Sequence, residues 1–351
     1  MTSQQARAAA SPKASAGASA EAGDEEYPAL EVRDLHVRFH TADGYLNAAN
    51  GVSYQLRQGE TLAVVGESGS GKSVTAQAVM GLIDSPPGEI TRGQILYRGQ
   101  DLLQMSRRRH RSLCGSSIAM VFQDALTALN PTLTVGFQLA EMFRVHEGLS
   151  RKESGSRAVE LLERVHIPAP AQRVNEYPYQ LSGGMRQRVM IAVAIALSPD
   201  VLIADEPTTA LDVTVQAQIM HLLSELQSEY GMSLVLITHD LGVVASVADY
   251  VAVMYAGRVV ERGPIDTVYR RPAHPYTRAM KASVPDLATK GAKLEAIPGS
   301  PPDLAHLPDG CSFYARCGFR RDRCLEEDPP LLTLGDGRAT ACHFSEEVLD
   351  V

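Results

Sequence analysis

Apolar and polar residues alternate over Leu30-Glu31-Val32-Arg33, Val37-Arg38-Phe39 and Val52-Ser53-Tyr54-Gln55-Leu56. That period of two predicts half-buried strands, the last closed by a turn at Gln58-Gly59. Further on the alternation gives way to continuous apolar runs at Leu62–Val65, Ile118–Val121, Val201–Ala204, Leu234–Ile237 and Val251–Met254, with a shorter one at Ile95–Tyr97. Runs of this length suit strands covered on both faces. Helical spacing separates them. Ile219, Leu222, Leu223 and Leu226 line one face of a helix expected to end at Gly231. Ala158, Leu161, Leu162 and Val165 repeat the pattern within 135–178, where no strand-like run occurs. The alternation predicts an α/β fold with a mostly parallel sheet, interrupted by a helical insert. After Pro264 prolines and glycines become frequent and the periodicity fades, which places a boundary there.

The 44% apolar content of this 351-residue chain suits a sizeable soluble core. A net charge of −8 argues against a general nucleic-acid or anionic-membrane binder. The basic run Arg107–Arg111 therefore reads as a solvated helix face. The longest apolar run, Val189–Leu197, falls well short of the roughly 20 residues a membrane span needs. Residues 1–26 are rich in Ala, Ser and Glu and lack an apolar core. They fit neither a signal peptide nor an anchor, and residues 1–28 are expected to be a disordered leader. Five cysteines, four of them between 311 and 342, do not resemble a secreted disulfide framework, so a cytosolic compartment is expected.

Candidate chemistry centres on Gly66-Glu67-Ser68-Gly69-Ser70-Gly71-Lys72-Ser73, a G-x-x-x-x-G-K-S between an apolar strand and a helix-compatible segment. The loop Gly66, Ser68, Gly69, Ser70 and Gly71 would wrap a polyphosphate in backbone N–H groups, at the positive end of the following helix. Lys72 would reach the β- and γ-phosphates and the Ser73 hydroxyl would sit on Mg²⁺. The strand Val201–Ala204 runs into Asp205-Glu206, where α/β folds place their ligands. Asp205 would hold Mg²⁺, and Glu206 would polarise the attacking water. Ser182 suits the N-cap of a helical run, and Gly183 and Gly184 beside it allow backbone to approach phosphate.

The order of these motifs resembles the nucleotide-binding subunits of ABC transporters. Gly66–Ser73 is followed by Gln123 after Met120-Val121-Phe122, by Leu181-Ser182-Gly183-Gly184-Met185, and by Asp205-Glu206. Ala210-Leu211-Asp212 and His239 after Leu236-Ile237-Thr238 complete the series, which covers about residues 30–262. The resemblance implies a head-to-tail dimer with two ATPs sandwiched between the phosphate loop of one chain and Ser182–Gly184 of the other. It also implies that Gln123 senses the γ-phosphate and its Mg²⁺, that Asp212 meets the partner domain, and that His239 orients the attacking water. Phe39 is the candidate for stacking on adenine, with Tyr45 as the alternative.

Asp124-Ala125-Leu126-Thr127-Ala128-Leu129-Asn130-Pro131, Pro272-Ala273-His274-Pro275-Tyr276-Thr277 and Ile297-Pro298-Gly299-Ser300-Pro301-Pro302 are similar to the oligopeptide/dipeptide-importer branch. Ala125 departs from the proline expected there. The resemblance thus implies an ABC-type P-loop ATPase domain over 29–263, with an antiparallel β edge and a helical subdomain at about 124–185. A small Cys-rich extension over 264–351 would follow. The implied partners are a second, non-identical ATPase, two permeases and an extracytoplasmic binding protein, at the cytoplasmic face of the membrane. Peptides are the implied cargo, with nickel chelates, glutathione or oligosaccharides as alternatives; a soluble ABC ATPase is a further one.

Cys311, Cys317, Cys324 and Cys342 are spaced C-x₅-C-x₆-C-x₁₇-C, without the CxxC pairs of a zinc ribbon. Four thiolates suit either a [4Fe–4S] cluster or zinc, and the importer branch favours the cluster. Four unligated buried thiols are the plain alternative. Cys114 stands alone and is expected to be an ordinary core residue.

Overall fold

Among residues 27–42, 44–284 and 296–350, which the computed structural model describes, twelve strands form two sheets. The expected leader lies outside these residues as far as position 26. In chain order the first six strands are β1 (Leu30–Thr41), β2 (Gly44–Leu56), β3 (Thr61–Val65), β4 (Gly88–Tyr97), β5 (Gln100–Asp101) and β6 (Ile118–Val121). They are followed by β7 (Val201–Asp205), β8 (Ser233–Thr238), β9 (Tyr250–Tyr255), β10 (Arg258–Pro264), β11 (Leu332–Thr333) and β12 (Ala339–Thr340). An antiparallel sheet has the order β2-β1-β4-β5, and the larger sheet the order β11-β12-β10-β9-β3-β8-β7-β6. Within the larger sheet β9, β3, β8, β7 and β6 are parallel.

The continuous apolar runs are explained by what covers each face. Leu62, Val64, Met120, Ile203, Val235 and Met254 pack toward the antiparallel sheet with Leu30, Val37 and Ile95. Their neighbours Ala63, Val65, Ala119, Leu202, Leu236 and Val253 pack toward the helices on the other side. Successive side chains of a strand point to opposite faces, so a strand buried on both sides must be apolar throughout. The two short stretches expected at 30–39 are one strand. β1 keeps its pairing through register shifts around Leu35, and Asp34 adopts a left-handed φ of 46° there.

The segment after β6 is helical: Ala125–Ala128, Val135–His146, Arg151–Arg164 and Pro170–Arg173 precede the helix Gly183–Ile195. Each longer one has a local reason to start. Thr134 caps Val135–His146, and Ser150 with Glu153 forms a full capping box for Arg151–Arg164. Leu139, Phe143, Ala158 and Leu162 close the apolar seam of this layer. The basic run Arg107–Arg111 lies on a short helix, Arg107–Leu113, that buries no residue. Cys114 follows it, half-buried, with burial raising its thiol pKa.

Residues beyond Pro264 do not stand apart from the sheet. β12 pairs antiparallel with β10, matching Glu261 with Thr340 and Arg262 with Ala339. Glu261 is fully buried and accepts hydrogen bonds from the backbone of Ala273 (2.7 Å) and His274 (3.0 Å). Burial pushes its carboxyl up to about 7 and the His274 imidazole down to about 3.

Packing on both faces makes β8 sensitive to lost volume. Leu236→Ala should cost about 2–5 kcal/mol, whereas Val145→Ala, at a site 70% exposed, should change stability by less than about 0.5 kcal/mol. Thermal unfolding of the two purified variants beside the parent checks this pair of outcomes.

Candidate active site

The parallel register brings four strand ends level. Val65 pairs with Thr238, Asp205 with Ile237, and Val121 with Ala204. The residues just past those ends therefore meet at one edge: the phosphate loop after β3, Gln123 after β6, Glu206 after β7 and His239 after β8. A cavity of about 1120 Å³ lies over that edge, lined by Phe39, Glu67–Ser73, Gln123, Glu206 and His239.

The loop is held close to its scaffold. A Cβ at Gly66 would fall 2.2 Å from the Met254 carbonyl oxygen, and one at Gly71, where φ is 97°, would fall 2.1 Å from that of Ala48. Only glycine fits at either place. Lys72 opens the helix Lys72–Val79, and its Nζ donates to the carbonyls of Gly66 (2.8 Å) and Glu67 (2.9 Å). The lysine curls over the loop, so its charge is satisfied by backbone oxygens. Burial lowers its pKa, and Glu206, Asp205 and Glu67 oppose that shift.

Ser73 Oγ donates to Asp205 Oδ1 at 2.9 Å. Burial raises the Asp205 pKa, with the Ser73 bond working against it. Lys72 also acts on this carboxylate through its charge, and the Ser73 and Asp205 oxygens suit a divalent cation between them. Glu206 takes a left-handed φ of 44°, fixed by its N–H donating to the Ile237 carbonyl at 2.9 Å. Its carboxylate accepts from Gln123 Nε2 at 3.0 Å and from Thr209 Oγ1 at 2.7 Å, and His239 Nδ1 lies 3.7 Å away. A non-glycine residue strained in this way at a site is a recurrent mark of function.

Lys72, Ser73, Gln123, Asp205, Glu206 and His239 are thus brought together, and Phe39 lies on the wall of the same cavity. Tyr45 does not line it; its ring packs beneath the Arg38 guanidinium at 4.2 Å. Ser182, Gly183, Gly184 and Asp212 do not line it either. Ser182 caps the helix Gly183–Ile195 through Met185 N–H (3.3 Å), and Asp212 caps Val213–Tyr230 through Val215 N–H (3.0 Å). Gly184 packs so near Val215 that a Cβ would lie 2.8 Å from it, which joins the two caps into one surface.

Several residues escaped the sequence reading. Thr209 holds Glu206, and Ile297 and Leu304 add an apolar wall to the cavity from the C-terminal region. Glu67 is gripped by Arg316, 249 positions away. No local pattern signals a contact at that separation.

The four C-terminal thiols gather around one apolar space with Phe313, Phe319 and Phe344. All are unbridged. The space measures roughly 20 Å³, about enough for one water molecule. No group of three or more His, Cys, Asp or Glu side chains able to hold a metal ion occurs among the described residues. The four residues expected to hold a metal, Cys311, Cys317, Cys324 and Cys342, all line this one small space. Burial pushes the Cys311 thiol up to about 11 and the Cys342 thiol up to about 12.

Comparison with known proteins agrees with this geometry. Residues 49–209 match the family model described as ABC transporter, and residues 260–324 match the oligopeptide/dipeptide transporter C-terminal region. The oligopeptide transport ATP-binding protein OppD of Bacillus subtilis is 52% identical over 88% of this chain and 86% of its own. The dipeptide transport ATP-binding protein DppD of Escherichia coli is 49% identical over 90% of this chain and 96% of its own. Among solved structures, the dimeric bacterial ABC transporter cassette MJ0796 superposes with a TM-score of 0.60 at 28% identity, covering 67% of this chain and 98% of that one. No helix among the described residues is long and apolar enough to cross a membrane. Strand ends, phosphate loop and relatives converge on one conclusion: the chain belongs to the ABC transporter family, as an ATP-binding, ATP-hydrolysing subunit of its oligopeptide/dipeptide branch.

Proposed function

We propose that this chain powers the import of di- and oligopeptides, working at the cytoplasmic face of the membrane with a second ATPase, two permeases and a binding protein. The cargo rests on the names of the relatives and on the matching C-terminal region. The chemistry rests on one observation: Glu206 is held between Gln123, Thr209 and His239, on the wall of the cavity that Lys72 and Ser73 also line.

In this reading ATP lies with adenine against Phe39 and its phosphates in the loop Gly66–Ser73. Lys72 exchanges its two carbonyl partners for phosphate oxygens. Ser73, Asp205 and Gln123 would hold Mg²⁺, which would supply positive charge beside the phosphates. Glu206 accepts a proton from the attacking water, and His239 keeps that water in line with the γ-phosphorus. Ser182, Gly183, Gly184 and Asp212 do not line this cavity; in this reading their counterparts on a second chain complete the donor shell around the γ-phosphate.

We also infer a role for the thiol cavity. Four cysteines meeting in one apolar space are an unusual gathering, and they supply the donor set of a [4Fe–4S] cluster, or of zinc, provided the cavity opens. No step of ATP hydrolysis involves them.

Three measurements test these readings. Lys72→Ala should abolish measurable ATP affinity in the purified chain, and unchanged affinity would remove Lys72 from the site. Glu206→Gln should keep ATP binding but slow phosphate release by about 10²–10⁴-fold and accumulate a closed dimer detectable by light scattering; undiminished turnover would reassign the base. Anaerobically purified protein should carry about four irons and four acid-labile sulfides per chain, lost together in Cys324→Ser. A single zinc without sulfide would instead identify a zinc knot, and neither metal would leave four packed thiols.

A further inference from the structure

The loop residue Glu67 is held from three sides, and two of them belong to the C-terminal region. Arg316 donates through Nη1 to Glu67 Oε2 at 2.6 Å and through Nη2 to Oε1 at 2.9 Å, a two-pronged pairing. The Tyr276 hydroxyl accepts from the Glu67 N–H at 2.8 Å. On the third side, the Glu67 carbonyl accepts from Lys72 Nζ at 2.9 Å.

Arg316 is itself fixed before it reaches the loop. Its side chain is only 4% exposed, its Nε donates to the Pro298 carbonyl at 2.9 Å, and the Tyr255 hydroxyl lies 3.4 Å from Nη1. Tyr255, Tyr276 and Phe313 pack around it with ring centroids 4.6–5.4 Å apart. A guanidinium already immobilised in this way binds a carboxylate with little further loss of freedom.

We propose that Arg316 is a positioning residue for the phosphate loop: its grip on Glu67 presets the loop for the nucleotide phosphates, so that the C-terminal region sets ATP affinity. The inference rests on the nucleotide-site reading of Gly66–Ser73.

The test is a double-mutant cycle on the full chain, reading ATP dissociation constants by titration and, in the assembled transporter, KM against kcat. Glu67→Gln removes the ion pair from the loop side without touching the C-terminal packing, and Arg316→Met removes it from the other. Each should weaken ATP binding by roughly 10- to 100-fold, the scale of a lost hydrogen bond to a charged group, with KM changing far more than kcat. The double variant should be no worse than the weaker single one. Arg316→Lys should recover part of the loss through charge alone. Parent-like ATP affinity in folded Glu67→Gln, or additive losses in the cycle, would overturn the proposal. Should Arg316→Met fail to fold, Tyr276→Phe takes its place, because it frees the Glu67 N–H from the same side. A parent chain that itself binds no ATP would instead refute the nucleotide-site reading.

Discussion

Everything at the site depends on the parallel pairing of β3, β8, β7 and β6. None of Lys72, Gln123, Glu206 and His239 is near another in sequence, and none is held by a covalent link. They meet because Val65, Thr238, Asp205 and Val121 end their strands at one level. A slip of one residue in any of these pairings would turn the apolar side chains to the wrong faces. Since both faces are buried, that slip is strongly opposed by packing. The hydrophobic covering of the sheet thus fixes the geometry of the polar edge.

At that edge the charges are matched for a missing ligand. Lys72 leans on two carbonyl oxygens, Asp205 on one hydroxyl, and burial shifts both toward their neutral forms. An anion beside Lys72 and a cation beside Asp205 would reverse both shifts together. This is a physical reason for a nucleotide and its metal to bind as a unit, since each adds a counter-charge beside one buried group.

Much of this architecture was legible in the chain. The apolar runs located β3, β6, β7, β8 and β9 within a residue or so, because burial on both faces leaves no polar position to blur the pattern. Gly66–Ser73 and Asp205-Glu206 were legible because tight turns and strand ends restrict residue type locally. What the pattern could not carry was distance. β12 joins β10 through two residue pairs, too short for any period to register. Arg316 lies within a cysteine-bearing segment whose spacing suggested metal chemistry, while its side chain serves the loop. The thiols likewise show that spacing alone does not specify how tightly side chains pack.

The separation of Glu67 from Arg316 also has a consequence in time. The phosphate loop leaves the ribosome some 249 residues before the arginine that clasps it. Until the final part of the chain has been made and folded back, Glu67 lacks its guanidinium partner. Competence for nucleotide is thereby tied to completion: a truncated or unfinished chain keeps every residue of the phosphate loop and lacks the clamp that readies it.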